Sequence, residues 1–414
     1  MIPPSSGKSP RRIFPALLVL ILAGASQAAP DPTSPRTLAG RTNLSLPGQD
    51  WKLIFSDEFN GSRVDWTKWR PNLPWAGAED GHWHTNGYAS YLTLEDISVS
   101  GGQLKLACRK TPTRGKTRTF DYTAGMVTTS DSFRFVYGFA EVSARAPMEA
   151  GPGLWPAFWT LSQGWPPEFD IIELWTGGPR IHQGYCYAKP SGQGWDSHHD
   201  KIGPTGFHTY AMEWGPGYVF FLIDGKVTKR IYGDHITDKP QYLLLNSAVC
   251  SGKGNAGPSP ETRFPNSFDV DYCRVYARPY EVAFHNGGFE GDNAAPWKLS
   301  PAARVSAGAG RNGSKGLVLA QGPQWAEQKI YGLTPGARYA LTGWARSNDP
   351  RNPLRAGVKK FGGSEVSVDI PSASWKPFSV AFTAGLSDRT GVGYCYNPEG
   401  AGGAFDDIRV EKIP

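Results

Sequence analysis

Trp165-Pro166-Pro167-Glu168-Phe169-Asp170-Ile171-Ile172-Glu173-Leu174-Trp175 is the stretch on which the reading of this chain turns. In a β-strand successive side chains point to opposite faces, so Glu168 and Asp170 share one face while Phe169 and Ile171 take the other. Unbroken alternation would place Glu173 among the apolar side chains and bury a charge at high cost. One extra residue at Ile171-Ile172, a β-bulge, returns Glu173 to the side of Glu168 and Asp170. Leu174 then turns inward and Trp175 outward, beside the acids. Three carboxylates on one face repel one another, so at least one must hold its proton well above the usual range, as an acid/base catalyst near neutral pH requires. A solvated acidic face or a calcium site is the plainer alternative. The Pro-Pro pair and the tryptophans that frame the acids weigh against it.

Outward from that stretch the chain reads as short alternating strands: Gln103–Ala107, Phe135–Ala144, Leu154–Leu161, Phe169–Trp175, Tyr218–Ile223, Tyr242–Ala248 and Phe268–Tyr276. Asp224-Gly225 is a hairpin signal between two of them. A second unit opens at Asn286-Gly287-Gly288-Phe289-Glu290 and continues through Tyr339–Arg346, Glu365–Ile370, Phe378–Thr383 and Ala404–Val410. No long segment has helical periodicity. The expected fold is all-β, a jelly-roll sandwich followed by a second, smaller β-sandwich.

The 414 residues suffice for two domains, and 50 Gly with 35 Pro stay below the level of low-complexity chains. Lys8, Arg11 and Arg12, the apolar run Ala16–Ala23 and the small residues Ser26-Gln27-Ala28 read as a secretory signal. That run is too short to span a membrane. Without those three cations, 40 basic side chains face 37 acidic ones, which argues for neither nucleic acid nor a membrane surface as partner. The expected organisation is a signal peptide at 1–28, a linker at 29–48, a catalytic domain at 49–278 and a second β-sandwich at 283–414. The five cysteines (108, 186, 250, 273 and 395) have no metal-finger spacing and read as small buried residues, with room for one bridge. His82-x-His84 and His198-His199 lack a carboxylate at matching spacing, so no catalytic metal is expected.

The acidic stretch resembles glycoside hydrolase family 16, whose bulged signature Glu-x-Asp-x-x-Glu is matched by Glu168, Asp170 and Glu173. The approach segment Gly153–Leu161, the opening Phe55-Ser56-Asp57-Glu58-Phe59-Asn60-Gly61, and Phe207–Tyr210 with Glu213-Trp214 carry the likeness further. Phe221–Lys226, Gln241–Ala248 and Val270–Tyr276 extend it over most of residues 51–278, in order. The resemblance implies a concanavalin-like jelly roll with a sugar-binding cleft on its concave sheet. It also implies retaining, endo-acting hydrolysis with Glu168 as nucleophile, Glu173 as general acid then base, and Asp170 tuning the pair. No cofactor is implied for catalysis. A structural calcium is implied on the convex side, held by Glu58, the Gly102 carbonyl and Asp271.

Trp155 and Trp159 share a strand face, and with Trp175 they are candidates for stacking on sugar rings. His182, Gln183 and Tyr185 on the next strand, and Asn246, stand where relatives place substrate-contacting groups. The C-terminal unit resembles galactose-binding-like carbohydrate-binding modules. That likeness suggests Glu290 and Asp406 as calcium ligands, and Trp325, Trp344, Tyr394 and Tyr396 as either stacking or core residues.

The expected protein is a secreted, monomeric polysaccharide hydrolase, extracellular or periplasmic, acting on β-1,3-glucan of laminarin type. A red-algal galactan (agar, porphyran or carrageenan) is the alternative substrate. A non-catalytic lectin on the same scaffold is the rival from another class.

Overall fold

Phe169, Ile171, Ile172, Ile181 and Tyr185 turn one way from the strands that carry them and meet Val142, Met212, Trp214, Phe221 and Val275 coming from a second sheet. This apolar layer is the core of the first sandwich in the computed structural model. The structure describes residues 51–71, 73, 88–115, 118–175, 180–201, 206–253, 255–277, 282–291, 293–387, 389–398 and 400–414. The expected signal peptide (1–28), the linker (29–48), the His82/His84 pair and the boundary residues 279–281 lie outside the described residues. No helix among the described residues is long and apolar enough to cross a membrane.

The front sheet has seven described strands in the spatial order Gly192–Lys201, Arg180–Lys189, Gly164–Glu173, Ala157–Ser162, Tyr242–Asn246, Met126–Thr128 and Arg70–Pro71. The back sheet centres on Gly138–Arg145, flanked by His208–Gly215 and Asn266–Ala277. Strand formation follows the side chains: β-branched and aromatic residues alternate with polar ones and suit a pleated, half-buried surface. The expected hairpin closes at Asp224-Gly225, with φ of 50° and 76°, between Ile223 and Lys226. Both values lie in the left-handed region that a two-residue hairpin turn uses.

The C-terminal sandwich pairs two five-stranded sheets around Phe289, Leu317, Ile330, Leu341, Ala356 and Phe405. It meets the first sandwich behind the front sheet. The Tyr218 and His285 rings lie 4.4 Å apart, and Tyr331 donates its hydroxyl proton to Asp234 at 2.8 Å. The fold is therefore the expected one, two β-sandwiches in series. All five cysteines are buried and free, so no bridge forms.

Candidate active site

The third strand of the front sheet, Gly164–Glu173, carries the three acids. Against its neighbour Ala157–Ser162, Asp170 pairs with Trp159, Ile172 with Phe158, and Glu173 with Ala157, which leaves Ile171 as the extra residue. On the other side the register slips between Asp170 and Glu173, which pair with Gly184 and His182. The bulge thus sits at Ile171-Ile172; both isoleucines are fully buried in the core and all three acids take the opposite face. The neighbouring strand spans four residues between the partners of Glu168 and Glu173, about 13 Å of backbone, with Asp170 between them.

Above this face lies a cleft of about 1050 Å³ lined by Glu168, Glu173 and His182 together with Tyr88, Trp155, Trp159, Trp165, Trp175, Trp195 and Tyr242. Such aromatic walls bind the apolar C–H faces of sugar rings and leave polar groups to fix orientation.

Glu173 is gripped from two sides. Trp155 donates from Nε1 to Oε1 at 2.9 Å, and His182 Nδ1 lies 3.0 Å from Oε2. Asp170, Glu173 and His182 bring ligand-capable atoms within 4.8 Å of one another. Asp170 is 1% exposed, and no protein donor reaches either of its oxygens. Burial first, then the charges of Glu173 and Glu168, hold its carboxyl well above the usual carboxylate range. Burial and the Glu173 charge push Glu168 up to about 8. Three acids on one wall thus differ in surroundings, as groups with different proton duties must.

The remaining expected site residues divide. Trp155, Trp159 and Trp175 line the cleft, as does His182. Gln183 does not: it follows His182 on a strand and so points the other way, where Nε2 donates to the Ile171 carbonyl at 2.8 Å and Oε1 accepts from Thr228 at 2.5 Å. Tyr185 is likewise a core residue, stacked on Phe169 at 4.5 Å. Asn246 lies behind the wall. Its Oδ1 accepts from Trp159 Nε1 at 2.8 Å and its Nδ2 donates to the Trp155 carbonyl at 3.2 Å, so it holds both tryptophans rather than meeting sugar.

The metal expectations do not fit the donors present. Both Glu58 oxygens accept from Arg274, at 2.8 and 2.6 Å, and a guanidinium already neutralises the carboxylate. Burial and the Glu58 charge raise Asp271, and Gly102 occupies a turn at φ 73°. In the C-terminal sandwich Glu290 accepts the Lys315 backbone N–H at 2.8 Å. Asp406 accepts those of Arg311 and Asp407, both at 2.8 Å. These two carboxylates tie down the 311–315 loop instead of facing an ion. Trp344 is covered by Arg311, 3.8 Å from its ring centroid, and the Tyr394 hydroxyl donates to Glu365 at 2.6 Å, whereas Trp325 is exposed.

Tyr88, Arg134, Trp195, Ser197 and Tyr242 also line the cleft, and no motif pointed to them. Each reaches the site through sheet order. Tyr242 pairs with Leu161, which pairs with Glu168, and Trp195 pairs with Cys186, which flanks Glu168 from the other side.

Residues 77–264 match the family of glycosyl hydrolases family 16. The chain is 31% identical over 385 residues to a keratan-sulfate endo-1,4-β-galactosidase of Sphingobacterium multivorum, covering 88% of this chain and 87% of that protein. It is 31% identical over 256 residues to a β-glucanase of Rhodothermus marinus, covering 55% of this chain and 85% of that protein. A structure solved in work on endo-acting O-glycanases, with which human gut bacteria initiate mucin breakdown, superposes with a TM-score of 0.50 at 28% identity. That match covers 56% of this chain and 92% of that one.

Proposed function

The chain belongs to glycosyl hydrolases family 16 and is an endo-β-glycosidase, and from that premise we propose that it cleaves a β-galactosidic linkage inside a glycan chain by a retaining mechanism. Membership among enzymes that cut glycosidic bonds removes the lectin alternative.

One observation carries the mechanism: the bulge puts Glu168, Asp170 and Glu173 on a single wall, with Glu173 held by Trp155 and facing His182. In the first step a Glu168 oxygen attacks the anomeric carbon, the bond to the leaving oxygen breaks, and Glu173 supplies the proton that oxygen needs. In the second, Glu173 takes a proton from water, the water oxygen displaces Glu168, and the sugar leaves with its original configuration. Asp170, whose carboxyl is held well above the usual range, lowers the charge crowding the wall when it carries its proton.

The substrate rests on coverage. The keratan-sulfate enzyme aligns with this chain through the C-terminal sandwich, whereas the β-glucanase and two endo-1,3-1,4-β-glycanases align over 55–61% of it. A β-1,3-glucan, the substrate expected from the approach strand, is the second reading, supported by the β-glucanase at equal identity. The enzyme is proposed to act as a secreted monomer, exported by residues 1–28.

Reducing-end release from keratan sulfate, laminarin, mixed-linkage glucan, agarose and porphyran, with NMR of the first-formed anomer, tests both parts. β-Anomer from a galactan, absent with Glu168→Gln, is expected. Release from laminarin alone would replace the substrate, and α-anomer would overturn the mechanism.

A further inference from the structure

Among the described residues, two side chains that line the cleft can carry positive charge. His182 is committed to Glu173; Arg134 is the other. Phe133 and Phe135 on either side of it turn into the core, 4.7 Å from the Phe55 ring and 5.8 Å from that of Trp214. Residue 134 between them lines the cleft. Nη2 donates to the Ser130 carbonyl at 2.9 Å, and the guanidinium lies 5.6 Å from the Tyr242 ring centroid. Asp131, the acid of the same loop, is taken by Arg70 at 2.5 Å. Among the described residues no carboxylate pairs with Arg134. A guanidinium has five N–H donors, so most of its capacity is unspent.

A cation with no carboxylate partner, set over an aromatic ring on the side of the cleft away from the acids, suits a substituent that brings its own negative charge, because guanidinium grips oxyanions through paired hydrogen bonds. Its place follows from the ladder. Tyr242 is two strands from Glu168, about 10 Å across the sheet, so the charge meets a neighbouring sugar rather than the reacting one. The geometry points to Arg134 as the residue that recognises a single oxyanion substituent, a sulfate ester or a sugar carboxylate, on a sugar next to the cleaved linkage. This rests on the β-galactosidic reading and sharpens it. One cation also means one position: a chain charged at every sugar gains nothing further from this wall.

The test compares kcat/KM on keratan sulfate, chemically desulfated keratan and a sialylated chain of the same backbone, for the wild type and Arg134→Gln. The wild type should prefer a charged chain by roughly tenfold, the worth of one hydrogen bond to a charged group. Arg134→Gln should erase most of that preference, and added salt should erode it in the wild type. Whether sulfated or sialylated chains show the effect names the oxyanion. An equal loss on charged and neutral chains would overturn the proposal, because Arg134 would then be reading hydroxyls. If laminarin is cleaved and no galactan is, the β-galactosidic reading fails by itself. Arg134 is then judged by the same comparison between laminarin and its sulfated form.

Discussion

His182 Nδ1 lies 3.0 Å from Oε2 of Glu173, whose other oxygen already accepts the Trp155 indole N–H. An indole nitrogen can only donate, so in the proposed mechanism the proton Glu173 gives to the leaving group has its place on Oε2, facing His182. An imidazole can donate to that oxygen or accept from it as the reaction requires. His182 is therefore a positioning residue for the proton of Glu173.

His182→Phe removes that partner while filling the space. Without it Oε2 of Glu173 loses its only imidazole neighbour among the described residues, so kcat should fall while KM changes little. kcat should fall by less than the roughly 10²–10⁴ that loss of a general acid costs. His182→Gln, which restores a donor, should recover part of the loss. A kcat unchanged in His182→Phe, or no recovery with His182→Gln, would reduce His182 to a packing residue.

The buried acids set stability against pH. Burial raises Glu168 from its ordinary 4.5 to about 8, so the folded chain keeps a proton that the unfolded chain releases between those values. Folding stability must then fall as pH rises through that window. Glu168→Gln removes the penalty. Its Tm should exceed that of the wild type by a few degrees at pH 8 and by less at pH 5, as measured by calorimetry. A gap that widens toward low pH would contradict the raised value.

Trp159 owes its orientation to Asn246. Asn246→Leu leaves the indole N–H without its acceptor, at a cost of about 1–3 kcal/mol. Tm should drop and KM should rise, with kcat falling less, if the tryptophan serves as the proposed stacking platform for sugar rather than moving protons. A fall in kcat alone would place Asn246 in contact with the reacting sugar instead.

Much of this was readable from local chemistry. Alternation with one bulge is a property of eleven consecutive residues, so the shared face of Glu168, Asp170 and Glu173 could be read without the rest of the chain. The same alternation forbids His182 and Gln183 from both facing sugar, and resemblance to relatives obscured that. Arg134, Trp195 and Tyr242 could not be read, because strand order, a long-range property, brings them to the cleft. The Glu58–Arg274 pair was hidden for a related reason: the two residues lie 216 positions apart, and nothing local announces that pairing.

The contact between the two sandwiches offers the last prediction. Gly217 has φ of 72°, and a Cβ added there would meet the Tyr331 ring at 2.5 Å. Gly217→Val is thus opposed twice, by backbone conformation and by the ring pressed against it. Asp234, which binds both Lys329 and Tyr331 at 2.5 and 2.8 Å, holds the other side of the same contact. Asp234→Ala removes two partners without adding bulk. Either change should loosen the C-terminal sandwich, raising hydrogen exchange along Gln324–Tyr331 and speeding its release by protease. Because the acids stand on the far face of the other sheet, kcat on short oligosaccharides should stay within about twofold, the range of surface changes remote from a site. Loss of turnover equal to the loss of protection would mean that the contact supports the cleft itself.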